Sequence, residues 1–155
     1  MEPDHAVALR RWGIAWVCLA LALALHVTDE ALTGFLPVYN NSVEQLRALY
    51  AWIPLPTFTF PFWLGGLILA VLLLLGLAPL VFAGRNWLRP VSLVLAVIMV
   101  GNAFGHIAAT VYWGRLAPGV YSSPVLLAAA LALLYTARRA RPEQMRRGAR
   151  HHKPA

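Results

Sequence analysis

The chain has 155 residues, of which 60% are hydrophobic and 12% are charged. Soluble domains carry about 25% charged residues, so this composition indicates a protein whose main solvent is lipid. The net charge of +7 comes without a nucleic-acid-binding motif, which argues against nucleic acid as a partner and favours anionic lipid headgroups. The single cysteine, Cys18, cannot form a disulfide within the chain.

Four apolar blocks follow one another along the chain, at residues 12–36, 62–83, 88–113 and 124–137. A helix needs about 20 apolar residues to cross a hydrocarbon core about 30 Å thick. The blocks show no period-two alternation, and a lone strand cannot satisfy its backbone in lipid, so we expect helices. The sequence predicts an all-α membrane protein with a four-transmembrane-helix bundle in one domain, residues 1–137. Ser122 or Ser123 can cap the fourth helix, with Pro124 in its first turn.

A shorter helical pattern lies between the first two blocks. Within residues 42–53 apolar side chains recur at helical spacing, and Ser42 with Gln45 fits a capping box. We therefore expect a short outer interfacial helix between helices 1 and 2. An irregular stretch rich in proline and aromatic residues follows it, and these aromatics suit the headgroup level of a bilayer. The stretch is either an aromatic belt or a lid over a site that opens outward.

The distribution of basic residues predicts the orientation of the bundle. With four spans, both termini and the loop between the second and third spans lie on one side of the membrane. Of the 13 basic residues, all but Arg47 and Arg115 fall on that side. The positive-inside rule makes that side cytoplasmic, and the basic tail, residues 138–155, can meet anionic headgroups there. The first block could instead be a signal peptide, but the three later blocks still make the chain a membrane protein.

Polar residues interrupt two of the apolar blocks. His26, Asp29 and Glu30 have the i, i+3, i+4 relation, so they share one face of the first helix. An ionised side chain at the centre of a span costs about 2.5–3.5 kcal/mol, so such residues usually face a bundle interior or a cavity. The third block carries Asn102 and His106, which are again one turn apart. Counted from the starts of their spans, His26 and Asn102 both lie about 21 Å along their helices.

We therefore predict one site in the outer half of the membrane, formed by the polar residues of both helices. Its catalytic candidates are His26, Asp29, Glu30, Asn102 and His106. The groups that could support them are Thr28, Thr33, Thr110, Tyr112 and Tyr121. Alternatively, these residues only hydrogen-bond one another to fix the helix register. Gly101 and Gly105 form a small-xxx-small pair, which lets a neighbouring helix approach closely.

Two motifs resemble those of a known family. The run His26-Val27-Thr28-Asp29-Glu30 resembles the signature of the HXXEE-domain family of small bacterial membrane proteins. The run Gly101-Asn102-Ala103-Phe104-Gly105-His106, followed by Pro118-Gly119, resembles the second motif of that family. Asp29 departs from the family pattern, which has Glu at this position. The resemblance covers most of the chain and implies an inner-membrane location and these site residues, but the function of the family is largely unknown.

Three kinds of function fit these residues. The first is a membrane-embedded enzyme, an isomerase, cyclase or hydrolase, that acts on an isoprenoid, sterol-like or acyl substrate without a cofactor. Glu30 or Asp29 would be its acid and base, the histidines would orient groups or shuttle protons, and Asn102 would position the substrate. The second is a metal-dependent enzyme in which His26, Glu30 and His106 hold zinc or iron. The third is a transporter or a proton-relay, haem- or quinone-binding subunit, and a homodimer remains open.

Overall fold

A computed structural model describes residues 3–140 as five α-helices, with no strand in that range. The helices are α1 (Pro3–Thr33), α2 (Phe35–Leu49), α3 (Phe60–Phe82), α4 (Leu88–Trp113) and α5 (Ser123–Arg139). The all-α prediction is confirmed for the described part of the chain. α4 has the bounds expected from the sequence, and α3 and α5 differ from the expected bounds by one or two residues at each end.

The largest differences from the predicted bounds are in the first 50 residues. α1 begins nine residues before the expected start and ends at Thr33, because Gly34 takes a left-handed conformation with φ of 77°. The second helix begins at once after Gly34, since a proline in the first turn, here Pro37, removes no hydrogen bond that the helix needs. The expected helix at 42–53 is therefore wrong in its bounds. Ser42 lies inside α2 and donates to Val38 O instead of capping a helix.

Successive long helices run in opposite directions. Phe82, at the end of α3, packs on Gly13 near the start of α1. The Arg89 side chain, at the start of α4, donates to Ala137 O at the end of α5 over 2.9 Å. Ser122, which precedes α5, reaches Asp29 near the end of α1. The ends of α1 and α4 and the start of α5 therefore meet at one end of the bundle.

α1 lies at the centre of the bundle, between α3 and α5, and α4 packs mainly on α5. The largest fully buried apolar side chains are Trp12, Trp16, Leu19, Val81, Leu88, Leu126 and Leu133. Where the helices meet most closely the buried residues are alanines, among them Ala96, Ala103, Ala130 and Ala137. Small residues let helix backbones approach, which is how helices pack when lipid removes the hydrophobic drive between them.

Three helices, α1, α3 and α4, are long and apolar enough to cross a membrane. The outer faces of α3 and α4 consist of large apolar side chains, such as Phe62 on α3 and Val94 on α4, each at least 60% exposed. Apolar faces of this extent are unfavourable in water and favourable against lipid tails. α5 has 17 residues, and its last turn carries Arg138 and Arg139. The remainder of the predicted basic tail, residues 141–155, lies outside the described residues.

Candidate functional site

The site lies at the end of the bundle where α1 and α4 finish and α5 begins. Glu30 Oε1 is 3.1 Å from His106 Nε2 on α4 and 3.5 Å from His26 Nε2, one turn earlier on α1. The two imidazole rings meet edge to face, with their centroids 4.8 Å apart. His26, Glu30 and His106 are 1%, 4% and 7% exposed, so the cluster is closed off from the surface. The structure thus brings together three of the five predicted residues in direct contact. We call them the His–Glu–His cluster.

Each imidazole makes a hydrogen bond through its Nδ1 atom, while its Nε2 atom faces Glu30. His106 Nδ1 bonds Pro118 O, and a carbonyl can only accept, so Nδ1 carries the hydrogen. His26 Nδ1 lies 2.8 Å from Ser122 Oγ. That hydroxyl has a single hydrogen, and its acceptors are the Asp29 carboxylate at 2.8 Å and Gly119 O at 3.3 Å, so its oxygen accepts from His26. Both histidines are therefore held with a hydrogen on Nδ1.

The inward-facing atoms of the cluster are consequently all basic. In neutral imidazoles with hydrogen on Nδ1, both Nε2 atoms present lone pairs, and a carboxylate oxygen also only accepts. These three atoms lie within 4.8 Å of one another. One proton can join His106 Nε2 to Glu30 Oε1, but His26 Nε2 then finds no hydrogen-bond partner among the described residues. A buried polar atom without a partner costs about 1–3 kcal/mol, so the cluster is not arranged for stability alone.

The two adjacent carboxylates have different partners. Asp29 Oδ2 accepts from the Ser122 backbone N–H over 2.9 Å and from its hydroxyl, so Asp29 sits at the N-terminus of α5. Thr33 adds a second link, since Gly119 N donates to Thr33 Oγ1 over 3.1 Å. Glu30 has no such link and faces the histidines. Asp29, predicted as a catalytic residue, is placed outside the cluster, where it anchors the 114–122 loop.

Gly119 packs directly against the cluster. A Cβ atom at this position would lie 2.8 Å from His106 Cε1 and 3.0 Å from Glu30 Cγ, and the residue has a φ of +81°. Only glycine meets both conditions without strain. Sequence reasoning identified Pro118-Gly119 only through the family resemblance, although a Pro-Gly pair is itself a turn signal. It treated Ser122 only as a possible helix cap, and the Ser122 side chain makes no cap bond to α5.

Asn102 lies one turn before His106, and among the described residues its side chain makes no hydrogen bond to the cluster. Its Oδ1 atom is buried and has no hydrogen-bond partner among residues 3–140. Asn102 and His106 both line a pocket of about 260 Å³ between α4, α2 and the 114–122 loop. The other lining residues are Phe35, Val38, Gly105, Ala109, Trp113, Ala117 and Pro118. No atom of the described chain lies within 4 Å of a Cβ built at Gly101 or Gly105, so the expected helix contact there does not form in this chain.

The predicted supporting residues divide into two groups. Thr33 and Thr110 hold the loop, Thr110 by donating to His106 O and accepting from Ala117 N, both over 3.0 Å. The other three face away from the cluster: Thr28 donates to Ala24 O on its own helix, and Tyr112 and Tyr121 are exposed. Their predicted supporting role is wrong. Sequence spacing alone could not separate the two groups, because what distinguishes them is contact with the 114–122 loop between α4 and α5.

α2 and the segment after it cover the site with aromatic rings. The Phe35 ring lies 5.4 Å from the His106 ring, and a stack of rings continues from Phe35 to Tyr39, Phe58 and Phe62. Asn40 fixes the segment by bonding both the N–H and the C=O of Phe58. His106 is therefore next to an apolar pocket on one side and next to polar partners on the other.

This arrangement can move a proton among three basic atoms or hold a cation, and both uses would take place beside an apolar pocket. Both Nε2 atoms face the same carboxylate oxygen, so Glu30 occupies the place that an iron between two axial histidines would need, which disfavours haem. No family model, curated protein or solved structure matches the chain.

Proposed function

We propose that this protein is a membrane-embedded enzyme that acts by acid and base chemistry on a lipophilic substrate. The observation that carries the proposal is the His–Glu–His cluster, in which Glu30 Oε1 lies 3.1 Å from His106 Nε2 and 3.5 Å from His26 Nε2. Three basic atoms with one proton between them can donate that proton at one point and accept another nearby. A group with this ability fits an isomerase, cyclase or hydrolase.

Of these three kinds of enzyme, an isomerase is the simplest, because it needs no reactant besides its substrate. The proton shared by Glu30 and His106 is added to one carbon of an alkene, which puts the positive charge on the other alkene carbon. The cluster then removes a proton from the next carbon along, and the double bond forms in the new place. The gain and the loss balance, so no further reactant is required. His26 Nε2, which has no hydrogen-bond partner among residues 3–140, can accept a proton that enters through Glu30.

The pocket supports a lipophilic substrate. Its walls are mainly apolar, and its polar groups are His106 and Asn102. An apolar cavity of about 150 Å³ holds a benzene ring, so about 260 Å³ has room for part of an isoprenoid, sterol-like or acyl molecule. The buried Asn102 Oδ1 would accept a hydrogen bond from a donor on that molecule. No cofactor is required for this chemistry.

The proposal includes a location and an orientation. We propose four spans in the inner membrane of a bacterium, with both termini cytoplasmic and the cluster near the outer leaflet. α5 supplies the fourth span, since 17 residues extend about 25 Å and its basic last turn can reach the headgroups. Reporter fusions after Leu49, Arg85, Arg115 and Arg139 test it, because an outer reporter should respond only at the first and third sites.

The enzymatic proposal is tested by comparing the lipids of cells that express the wild-type chain, Glu30→Gln, His106→Ala or a control. Glu44→Gln is the matched control, since it makes the same change on an exposed residue of α2. We expect a lipid that differs between wild-type and empty-vector cells and returns to the empty-vector level in both cluster variants. Monodisperse protein at wild-type abundance must accompany the loss. If Glu30→Gln matches Glu44→Gln, the enzymatic proposal is wrong.

A further inference from the structure

We propose that the His–Glu–His cluster is a binding site for a divalent transition-metal ion, with His26 Nε2, His106 Nε2 and Glu30 Oε1 as its protein ligands. Two histidines and one carboxylate form the ligand set of many catalytic zinc sites and of non-haem iron sites. We choose Zn²⁺ as the probe, since it has no redox chemistry. The proposal concerns which ion the cluster binds, and the proton transfer proposed above belongs to the cluster without that ion, so the two proposals are tested separately.

The distances between the ligand atoms fit an ion of this size. Nitrogen and oxygen ligands lie about 2.0–2.2 Å from zinc, which puts two ligand atoms of a tetrahedral site about 3.3 Å apart. The two contacts of Glu30 Oε1, at 3.1 and 3.5 Å, lie on either side of this separation. All three atoms are within 4.8 Å of one another, so the two Nε2 atoms would have to approach each other by at most about 1.5 Å on binding.

The hydrogen bonds behind the ligands are those of a metal site. Histidines that bind a metal almost always donate the other ring N–H to a carboxylate, a backbone carbonyl or water, which fixes the ring and its tautomer. His106 donates in this way to Pro118 O, and His26 donates to Ser122 Oγ, which in turn donates to Asp29. Both lone pairs are thus directed toward Glu30 before any ion binds.

A metal ion would also give a partner to more of the basic atoms in the cluster than a single proton does. A single proton joins two of the three basic atoms, and His26 Nε2 remains without a partner among the described residues. A divalent ion bonds all three, and the carboxylate neutralises half of its charge. Zinc sites with three protein ligands keep an open fourth position for water or substrate. Of the three ligands, His106 also lines the pocket beside the cluster.

The metal experiment begins with a background that removes every histidine outside the cluster. The chain has five histidines, so His5→Ala, His151→Ala and His152→Ala together leave only His26 and His106. This full-length variant is purified in detergent, treated with a chelator, loaded with Zn²⁺ and dialysed. We expect close to one zinc per chain by mass spectrometry and a melting temperature that rises with zinc, because the ion binds the folded state. Protein that keeps no zinc would overturn the proposal.

Ligand variants then separate binding from folding. In the same background, Glu30→Gln and His106→Ala should lose the zinc and its effect on melting, while Glu44→Gln should keep both. Ser122→Ala retains all three ligands and should weaken zinc binding about 10–100-fold, which is the usual effect of losing such a partner. Monodisperse Glu30→Gln protein that binds zinc as the control does would overturn the proposal. Zinc binding without any change in cellular lipids would instead count against the proposed enzyme alone.

Discussion

At the end of the bundle where α4 begins, Trp12 Nε1 donates to Ser92 Oγ over 3.0 Å, and Ser92 Oγ donates to Leu88 O over 2.8 Å. We call this the tryptophan end, and the end with the His–Glu–His cluster the histidine end. Both ends join α1 to α4 through buried polar side chains. At the tryptophan end every donor has an acceptor, so the contact only stabilises the bundle.

The histidine end differs in how its polar atoms are satisfied. The two buried side-chain atoms without a partner among residues 3–140 are His26 Nε2 and Asn102 Oδ1, one in the cluster and one a turn away from His106. Native proteins keep few such atoms, and each has a reason, such as strain, a catalytic role, or a bound water or ion. A polar residue in a membrane helix is therefore not in itself a sign of function. The sign is a buried polar atom that the fold leaves unsatisfied.

The largest effect on stability should come from adding a side chain at Gly119, at the histidine end. Gly119→Ala places a methyl group 2.8 Å from His106 and 3.0 Å from Glu30, at a φ of +81°. Left-handed backbone costs about 1–2 kcal/mol and overpacking about 1–3 kcal/mol, so the free energy of unfolding in detergent should fall by about 2–5 kcal/mol. Gly114→Ala is the control, since its φ is +61° but nothing lies within 4 Å, so it should lose only the backbone part. Equal losses would mean that the loop does not press on the cluster.

The second effect tests the separate roles of the two carboxylates. Asp29→Ala removes the acceptor of the Ser122 N–H and hydroxyl, which should lower the free energy of unfolding by about 1–3 kcal/mol. Asp29→Asn keeps an acceptor oxygen in the same place and should lose less. Denaturant titration in mixed micelles measures both variants. If Asn is as damaging as Ala, the charge of Asp29 matters more than its hydrogen bonds, and the anchoring role is wrong.

At the tryptophan end, Trp12→Phe should have a moderate effect. It removes the donor to Ser92 while keeping a ring in the core, and Ser92 retains its bond to Leu88 O. The expected loss is about 1 kcal/mol in the same titration. Zinc binding by the cluster should not change. Loss of zinc in a folded Trp12→Phe protein would show that the two ends are coupled.

The smallest effect on stability should come from Glu30→Gln. The new amide group can donate to a histidine Nε2 lone pair that the carboxylate cannot serve without a proton. We therefore expect a free energy of unfolding within about 1 kcal/mol of the wild-type value, together with loss of zinc binding. Thermal melting with and without zinc checks both. A large destabilisation would mean that Glu30 is mainly structural, like the residues of the tryptophan end.

Local rules were sufficient for much of the fold. The apolar blocks predicted helices close to the observed α3, α4 and α5, because the need to satisfy the backbone in lipid leaves little choice. The same rules failed around Gly34. A capping pattern at Ser42 suggested a helix start, but Gly34 allowed the second helix to begin seven residues before the expected position. Turn geometry at one glycine therefore outweighed a plausible cap.

For the site, the sequence by itself determined that His26 and Glu30 share a helix face and that Asn102 and His106 share another, because helical periodicity is local. Only the tertiary structure decided which of these side chains meet. Ser122 is 96 residues from His26 and 93 from Asp29 along the chain, and its contacts separate Asp29 from Glu30. Gly119 presses on His106 and Glu30 through a loop whose path no helical pattern predicts. Periodicity fixes the direction of a side chain on its own helix, whereas its partner depends on how separate helices and loops pack.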